Sequence, residues 1–516
     1  MSKVAKTTIL IMALTIFSKF LGLIREQVLA AAYGTGMYAE AYVTAMKIPT
    51  LLLAAIGGAI ATSLIPIYSK INENKGKKEA QKFICNLVNI VTLLTFVIVV
   101  LGLIFTEPLV KVFAIGFEGQ KLAVTVSFVK IILWAVMLIG MNNIIMGYLQ
   151  LNNNFTIPAL IGIPYNIIII TSIFLSTKTS PYVLIIGSLI ALISQVLFQL
   201  PAVKKTGLKY SFKVDLKDEN VKSMIILVLP VLIGVGVEQI NTLVDGTLAT
   251  TFGEGVVAAF NYANRLYGFV SAIFVSSLLS VVYPMMAKSS ASNDDVAFKD
   301  SIKNTMNIII IFMIPICAGT IVLADPIVKI LFQRGQFNAS DTIMTANILV
   351  VYIIGIIAFS LRNVMSKAFY SIHDTKTPMV NGAIAIIFNI LLNIILSRYM
   401  GYIGLALATT IAAFIGLFLF IVSLQRKIGN FGIKKIIVTS LKSLIAATIM
   451  GIVTSICFNN LSIMLGSGFI NEVFTLGGSI IIGALIYGVT VAILKVDEAK
   501  YIIDIAKNKI KNRYRK

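Results

Sequence analysis

Charged residues are scarce in this chain of 516 residues: only 13% are Asp, Glu, Lys or Arg, while 58% are hydrophobic. An average soluble domain has about 25% charged and about 45–50% apolar residues. The mean hydropathy of +0.93 deviates in the same direction. The composition therefore excludes a soluble enzyme. It predicts an all-α polytopic membrane protein built from helices of about 20 apolar residues.

Histidine and cysteine are also nearly absent. A single histidine, His373, excludes a histidine-rich metal site or proton relay. The three cysteines lie in apolar runs without metal-binding spacing, so no disulfide framework is predicted. The sequence has no Walker A loop, no HExxH, no GxSxG and no loop cluster of acidic residues for a metal-dependent glycosyltransferase. We therefore expect a transporter rather than an enzyme, with no cofactor apart from the sodium ion considered below.

Acidic residues are few compared with basic ones, 22 against 43, which gives a net charge of +21. In a membrane protein this excess is expected of positively charged cytoplasmic loops and predicts no nucleic-acid partner. Lys and Arg number five in residues 70–82, six in 204–222 and eight from Lys495 onward, against six on the whole opposite side. This asymmetry predicts that both termini are cytoplasmic, with membrane lipids beside the basic tail.

Apolar runs separated by polar breaks predict fourteen membrane-spanning helices. The predicted spans are residues 7–33, 38–69, 83–106, 122–149, 156–177, 182–203, 223–251, 256–286, 304–323, 342–370, 378–397, 402–424, 436–458 and 470–494. The first is interpreted as an uncleaved helix, because the charges of Lys19, Arg25 and Glu26 interrupt it where a signal peptide would have none.

An internal repeat relates the two halves of the chain. Residues 106–111 (TEPLVK) match 324–329 (ADPIVK) at an offset of 218, and Gly34 and Gly36 match Gly253 and Gly255 at 219. Two parallel six-helix repeats are typical of transporters. The predicted divisions are an N-terminal lobe at 1–203, a basic cytoplasmic linker at 204–222, a C-terminal lobe at 223–425, and two further helices with a basic tail at 426–516.

Ionisable and polar residues inside the spans mark a candidate binding site, because charges in a bilayer are costly and usually face a cavity. The candidates are Lys19, Arg25 and Glu26 on the first span, Lys47 on the second, and Asn264 and Arg265 on the eighth. A cationic cavity would suit an anionic substrate that carries phosphate, since Arg binds phosphate bidentately and Lys acts as a point charge. The alternative is that these charges snorkel to the interface or form ion pairs within one lobe.

Oxygen-bearing side chains form a second candidate site. The seventh span carries Asn241 and Asp245, the eleventh Asn389 and Asn393, and the twelfth Thr409. Oxygen ligands suit a hard cation such as sodium. The alternative is a hydrogen-bonded contact between helices.

Several stretches resemble the MurJ-type lipid II flippases of the multidrug/oligosaccharidyl-lipid/polysaccharide exporter superfamily. They are residues 18–26 (SKFLGLIRE), 33–36 (YGTG), 47–49 (KIP), 263–266 (ANRL), 331–337 (LFQRGQF) and 367–378 (KAFYSIHDTKTP). The most specific is 331–337, which contains the loop motif Gln333, Arg334 and Gly335. The resemblance covers about residues 5–425.

The resemblance implies two six-helix lobes in a V around a central cavity, with the last two helices forming a groove for a lipid tail. It implies alternating access that moves undecaprenyl-pyrophosphate-linked muropeptide across a bacterial plasma membrane, with cell-wall synthases as potential partners. Lys19, Arg25 and Arg265 would bind the headgroup, Glu26 would pair within the cavity and Asn166 would face it. The positions of the family's sodium site hold Asp245, Asn389, Asn393, the Leu405 carbonyl and Thr409.

Other functions stay open at this point. Lys19 stands where the family has Arg, and residues 51–58 (LLLAAIGG) lack the charges that the family often carries there. These departures leave room for a flippase of another polyprenyl-linked glycan, such as a teichoic, capsular or spore-wall precursor. A cation-coupled drug exporter would share the fold but predicts an acidic or aromatic cavity. A scaffold protein that has lost transport would tolerate loss of the cations.

Overall fold

The computed structural model describes residues 3–292 and 294–496, and it describes their side chains except at 3–12, 54–62, 227–238, 276 and 280–281. All regular structure in these ranges is helical. The helices are α1 (Lys3–Tyr33), α2 (Met37–Lys75), α3 (Lys77–Ile104), α4 (Thr106–Phe113), α5 (Gly119–Ile132), α6 (Ala135–Leu151), α7 (Thr156–Leu160), α8 (Gly162–Lys178), α9 (Tyr182–Lys205), α10 (Glu219–Ala249), α11 (Val256–Ser271), α12 (Ser277–Ala291), α13 (Asp295–Val322), α14 (Ala324–Phe332), α15 (Ala339–Ser371), α16 (Lys376–Met400), α17 (Tyr402–Ile428), α18 (Ile433–Leu465) and α19 (Phe469–Ile493). A π-helical turn, Ala272–Ser276, joins α11 to α12.

The all-α polytopic architecture is confirmed, but the number of fourteen spans is not. By length and apolar composition, ten helices of the described part could cross a membrane, or eleven if α5 and α6, bent by 41°, form one broken span. The predicted spans 7–33, 38–69 and 223–251 coincide with α1, α2 and α10, which are not among the ten. Each of these three helices includes residues whose side chains are not described, so the count of fourteen stays a prediction.

Packing divides the chain into two compact units whose limits differ from the predicted lobes. The first unit consists of the residues up to Asn261 together with Arg334–Asn338, and the second of Tyr262–Gln333 and the residues from Ala339 onward. The boundary falls inside α11, because α10, the first helix of the predicted C-terminal lobe, packs on α2. The limits of the predicted lobes follow from the sequence repeat. The division by packing does not test that repeat, so the lobe limits stay a prediction.

Each unit has its own apolar core. In the first, α2, α3, α6 and α9 bury a cluster that includes Leu64, Phe83 and Tyr148. In the second, helices from α12 to α19 bury a cluster that includes Met306 and Phe369. Many large apolar side chains outside these cores are exposed on the long helices, which is expected where a helix faces lipid.

Two glycines make close contacts with helix ends in the first unit. Gly116, in the loop after α4, donates its N–H to the Oγ1 of Thr250 at 3.0 Å. A Cβ at Gly116 would lie only 2.1 Å from the Thr250 carbonyl oxygen. A Cβ at Gly335, in the loop after α14, would lie 2.2 Å from the carbonyl oxygen of Ala31. Gln336 donates its N–H to that same carbonyl at 2.9 Å.

These two contacts are copies of each other. Gly335 follows Gly116 by 219 residues, and Thr250 follows Ala31 by 219 residues. Ala31 lies in the last turn of α1 and Thr250 directly follows α10, where backbone carbonyls lack partners inside their helix. Each repeat therefore sends a loop glycine to the end of the other repeat's first helix.

Candidate functional site

Arg25 on α1 is enclosed by side chains from two helices. Its Nη2 donates to Glu26 Oε1 at 2.6 Å, and its Nη1 donates to the Oδ1 of Asn166 on α8 at 3.2 Å. The guanidinium also lies over the ring of Tyr165, 5.5 Å from the centroid. The side chains of Arg25 and Glu26 are only 14% and 4% exposed. Because a guanidinium has five N–H donors, these contacts leave donors for a further anion.

The close approach of α1 and α8 fixes Asn166 beside Arg25. A Cβ at Gly162, the first residue of α8, would lie 2.0 Å from the Oγ of Ser18. Asn166 donates to the carbonyls of Gly162 at 2.7 Å and of Ser18 at 3.4 Å. Its Oδ1 is thereby oriented to accept from Arg25. Asn166 thus adjoins the cation, while its contact with a substrate stays a prediction.

Glu26 links the Arg25 cluster to α11. The Nδ2 of Asn261 donates to Glu26 Oε2 at 3.0 Å, so the carboxylate receives one donor on each oxygen. The predicted ligands Asn264 and Arg265 follow on α11 with exposed side chains. They belong to the second unit, whereas Asn261 belongs to the first.

The lysines of the predicted site lie on separate helices. The side chain of Lys19 is exposed on α1. Lys47 on α2 is half-buried, and its Nζ lies 3.8 Å from the place that a Cβ of Gly246 on α10 would take. Lys47 therefore adjoins α10, and both lysines stay predicted substrate ligands.

Glu40 is fully buried in the first turn of α2. It forms an ion pair with Lys121 on α5, and its Oε1 accepts a hydrogen bond from the backbone N–H of Val257 at 2.9 Å. Val257 lies at the N-terminus of α11, where a negative charge is favoured by the helix dipole. This single carboxylate therefore holds three helices of the first unit together.

The loop motif after α14 has a structural role. Gly335 has a φ of +60° and approaches Ala31 too closely for a Cβ, so glycine is required on both grounds. Gln333, which belongs to the second unit, accepts a hydrogen bond from Thr342 Oγ1 at 3.0 Å. Arg334 belongs to the docked segment Arg334–Asn338 of the first unit.

The predicted sodium ligands of α16 and α17 form a hydrogen-bonded row in the second unit. Asn393 Nδ2 donates to Asn389 Oδ1 at 2.9 Å, Asn389 Nδ2 to Thr409 Oγ1 at 3.3 Å, and Thr409 Oγ1 to the Leu405 carbonyl at 3.1 Å. Oxygen atoms of this type suit a hard cation, so the donor set fits sodium. Asp245 lies in the first unit, where the Nδ2 of Asn241 donates to it at 3.4 Å.

No group of three or more His, Cys, Asp or Glu side chains that could hold a metal ion occurs within the described ranges. This finding concerns carboxylate, thiolate and imidazole clusters, and the amide and hydroxyl oxygens of α16 and α17 are a different kind of site.

Sequence reasoning missed Tyr165 and Lys121. Tyr165 stands next to Asn166 in an apolar run, where an aromatic residue is ordinarily part of a core. Lys121 precedes a predicted span and was counted only as a loop charge. The complete burial of Glu40 requires such a counter-ion, but nothing in the spacing indicates which lysine supplies it.

Together, these features define a polytopic helical membrane protein with two transporter-like repeats and a shielded cation on its first helix. The family model for lipid II flippase MurJ matches residues 29–475. The chain therefore belongs to the MurJ family of lipid II flippases.

Individual relatives agree with this family. The protein named "probable lipid II flippase MurJ" in Rickettsia prowazekii (strain Madrid E) is 30% identical over 502 residues, covering 95% of this chain and 98% of the relative. The one in Haemophilus influenzae is 26% identical over 507 residues, covering 94% and 98%. A solved structure of lipid II flippase MurJ in an inward closed conformation matches with a TM-score of 0.80 and 29% identity, covering 95% of this chain and 99% of that one.

A more distant structure shares the fold alone. An inward-facing multidrug resistance MATE family transporter of the MOP superfamily has a TM-score of 0.71 at 12% identity, covering 82% of this chain and 98% of its own. At that identity the likeness carries no argument about substrate.

Proposed function

We propose that this chain moves lipid II, the undecaprenyl-pyrophosphate-linked muropeptide, from the inner to the outer leaflet by alternating access. The observation that carries this proposal is Arg25, a shielded guanidinium with Glu26, Asn166 and Tyr165 around it. Such a preorganised fork suits a pyrophosphate. Lys19 and Lys47 of the same unit would add positive charge for this headgroup. Asn264 and Arg265 belong to the second unit and stay predicted ligands.

The ion pair between Arg25 and Glu26 gives this site a way to respond to its substrate. A pyrophosphate carries more negative charge than a carboxylate and offers paired oxygens, so it competes with Glu26 for the Nη atoms. A displaced Glu26 would keep Asn261 on α11 as its partner. Because an uncompensated buried carboxylate is costly, substrate binding would favour a rearrangement of α1 against α11.

The orientation and partners follow from the same proposal. Both termini would lie in the cytoplasm of a bacterial cell, because the segments 70–82 and 204–222 and the tail from Lys495 concentrate the basic residues. The membrane lipids and the polyprenyl-linked substrate are the direct partners, and cell-wall synthases would consume the product.

The test replaces an essential lipid II flippase by this chain in conditionally depleted cells, with labelling of lipid II in the outer leaflet. Arg25→Ala should lower the label by about tenfold or more at matched membrane levels, because losing a charge-assisted hydrogen bond costs about 1.5–3 kcal/mol. Arg398→Ala removes an exposed arginine from α16 and should behave as the wild type.

Two results would contradict the proposal in different ways. Equal rescue by Arg25→Ala and the wild type would remove Arg25 from the site while leaving lipid II as the substrate. No rescue by well-expressed wild type would favour a flippase for another polyprenyl-linked glycan.

We also propose that sodium binds at Asn389, Asn393, Thr409 and the Leu405 carbonyl, which all lie in the second unit. Asp245 lies in the first unit and stays a predicted ligand. A bound ion stabilises the folded state by mass action, so the purified chain should unfold at a higher temperature in sodium chloride than in choline chloride. Asn393→Leu should abolish the difference. Asn381→Leu, on the same helix but bonded to Ser423, should retain it. Equal stability of the wild type in both salts would refute this site.

A further inference from the structure

Residues 208–218, between α9 and α10, run along the side of α3. Side chains of α3 make the hydrogen bonds to their backbone that a neighbouring β-strand would otherwise make. Four alternate carbonyls accept hydrogen bonds from α3: those of Lys209 (from Cys85 Sγ, 3.7 Å), Ser211 and Lys213 (from Asn89 Nδ2, 2.8 and 2.9 Å) and Asp215 (from Asn86 Nδ2, 2.9 Å). The Asp215 N–H donates back to Asn86 Oδ1 at 2.7 Å. Alternate residues thus turn their backbone toward α3, which is the period of an extended strand.

The intervening side chains are large and exposed, although the hydroxyl of Tyr210 donates to the Oδ1 of Asn89 on α3. Tyr210 is 50% exposed, Phe212 86%, Val214 44% and Leu216 62%. Phe212, Val214 and Leu216 are three exposed apolar side chains on a fixed backbone, and exposed apolar groups of this kind mark a contact surface. A merely solvated linker would not present such a row.

Lysines accompany this patch. Lys209, Lys213 and Lys217 occupy three of the five other positions of the same segment, and all three are exposed. The remaining two hold Ser211 and Asp215, and the Nζ of Lys213 lies 3.6 Å from the Oδ2 of Asp215. Apolar and aromatic groups interleaved with lysines suit the boundary between acyl chains and anionic headgroups, where lysines remain in the polar layer.

The segment lies where α3 is expected to leave the hydrocarbon. A helix of 28 residues is about 42 Å long, which exceeds a hydrocarbon core of about 30 Å. All charged residues of α3 fall within residues 77–82. The contacts to residues 208–218 begin at Cys85, directly after that charged turn, so the segment adjoins the interface.

We propose that residues 208–218 form a lipid-docking strip that binds anionic phospholipids at the membrane surface. Lys209, Lys213 and Lys217 contact the headgroup phosphates, while Phe212 and Leu216 enter the acyl boundary. The strip tethers the connection between the two repeats to the bilayer. This inference is independent of which substrate the chain transports.

The test uses the full chain in nanodiscs with brominated acyl chains, which quench nearby tryptophan. The native Trp134 is changed to Phe, and Phe212→Trp supplies the probe. The probe should be quenched in discs that contain phosphatidylglycerol and much less in discs of phosphatidylcholine alone. Neutralising Lys209, Lys213 and Lys217 to Gln should weaken docking on the order of 100-fold, since each lysine near an anionic surface contributes about fivefold.

The matched control neutralises Lys70, Lys75 and Lys78, three exposed lysines beyond the strip. It removes the same charge and should leave the quenching unchanged. Equal quenching in both lipids, or equal loss in the control, would overturn the anionic strip. An unquenched probe in every disc would overturn it too and would leave residues 208–218 as a surface for a protein partner.

Discussion

The carboxylate of Glu40 accepts the backbone N–H of Val257 at 2.9 Å, although the two residues are 217 positions apart. Glu40 is fully buried and has Lys121 as its counter-ion. Glu40→Ala should lower the free energy of unfolding by about 3–5 kcal/mol, because it leaves a shielded ammonium without its partner. Chemical denaturation of the purified protein measures this loss.

The control for this prediction is a second Glu–Lys pair. Glu107 and Lys111 pair at 2.8 Å on α4 with both side chains 57% exposed. Glu107→Ala should leave the free energy of unfolding almost unchanged, as is usual for exposed pairs. Similar losses in the two variants would show that Glu40 is not a structural link.

The paired glycine contacts predict a steric effect. Gly335→Ala would place a Cβ against the Ala31 carbonyl, and Gly116→Ala would do the same at Thr250. Each change should lower the unfolding free energy by about 1–3 kcal/mol through overpacking, with an added backbone penalty at Gly335. Gly119→Ala separates the two effects, since Gly119 has a φ of +52° but nothing within 4 Å of its Cβ position.

The comparison among these alanine variants decides whether contact or conformation matters. Gly119→Ala should show only the left-handed penalty of about 1–2 kcal/mol, and Gly335→Ala should exceed it. If Gly335→Ala lowered the free energy of unfolding no more than Gly119→Ala does, the loop would be able to move away from α1 at no cost.

Transport should depend on Asn166 more than stability does. Asn166→Leu removes the hydrogen bond that orients Arg25 and should reduce outer-leaflet lipid II about tenfold, which corresponds to about 1.4 kcal/mol. Ser176→Ala, at the other end of α8, removes the acceptor of a part-buried hydrogen bond that the Tyr33 hydroxyl donates at 2.7 Å. Both variants should lose stability, but only the first should lose flipping, as labelling at matched expression would reveal. Equal losses of flipping in the two variants would show that Asn166 acts only through packing.

Acid should weaken the turn before α16. Burial tends to raise the pKa of Asp374, but hydrogen bonds from Lys427 at 2.5 Å and Thr377 at 2.6 Å outweigh it and lower the pKa to about 2. Since the unfolded value is about 3.9, the stabilisation is complete above about pH 4 and is lost as the pH falls toward 2. Between pH 5 and pH 2.5, the midpoint temperature of thermal unfolding should therefore fall less for Asp374→Asn than for the wild type. Identical pH profiles would contradict this assignment.

The positions of most helices could be predicted from the sequence, because the apolar runs coincide with the long helices. The short helices α4 and α14 lie between predicted spans and were not predicted. The charged residues of the Arg25 cluster could be identified from the sequence, because charges stand out in apolar runs. The partners were not: Tyr165 and Lys121 are ordinary residues for their surroundings, and only the packing of α8 and α5 brings them into contact. The division inside α11 was equally hidden, because it depends on α10 packing against α2.

The reciprocal glycine contacts bear on the origin of the chain. In a symmetric dimer every contact occurs twice, once from each copy to the other. A half-length ancestor with one loop glycine and one open helix end would have made both contacts by pairing with itself. The two contacts of this chain have that reciprocal pattern: both loop positions hold glycine, while the positions they approach hold Ala31 and Thr250. Within one polypeptide, each repeat thus fills for the other the place that a second subunit fills in a symmetric dimer.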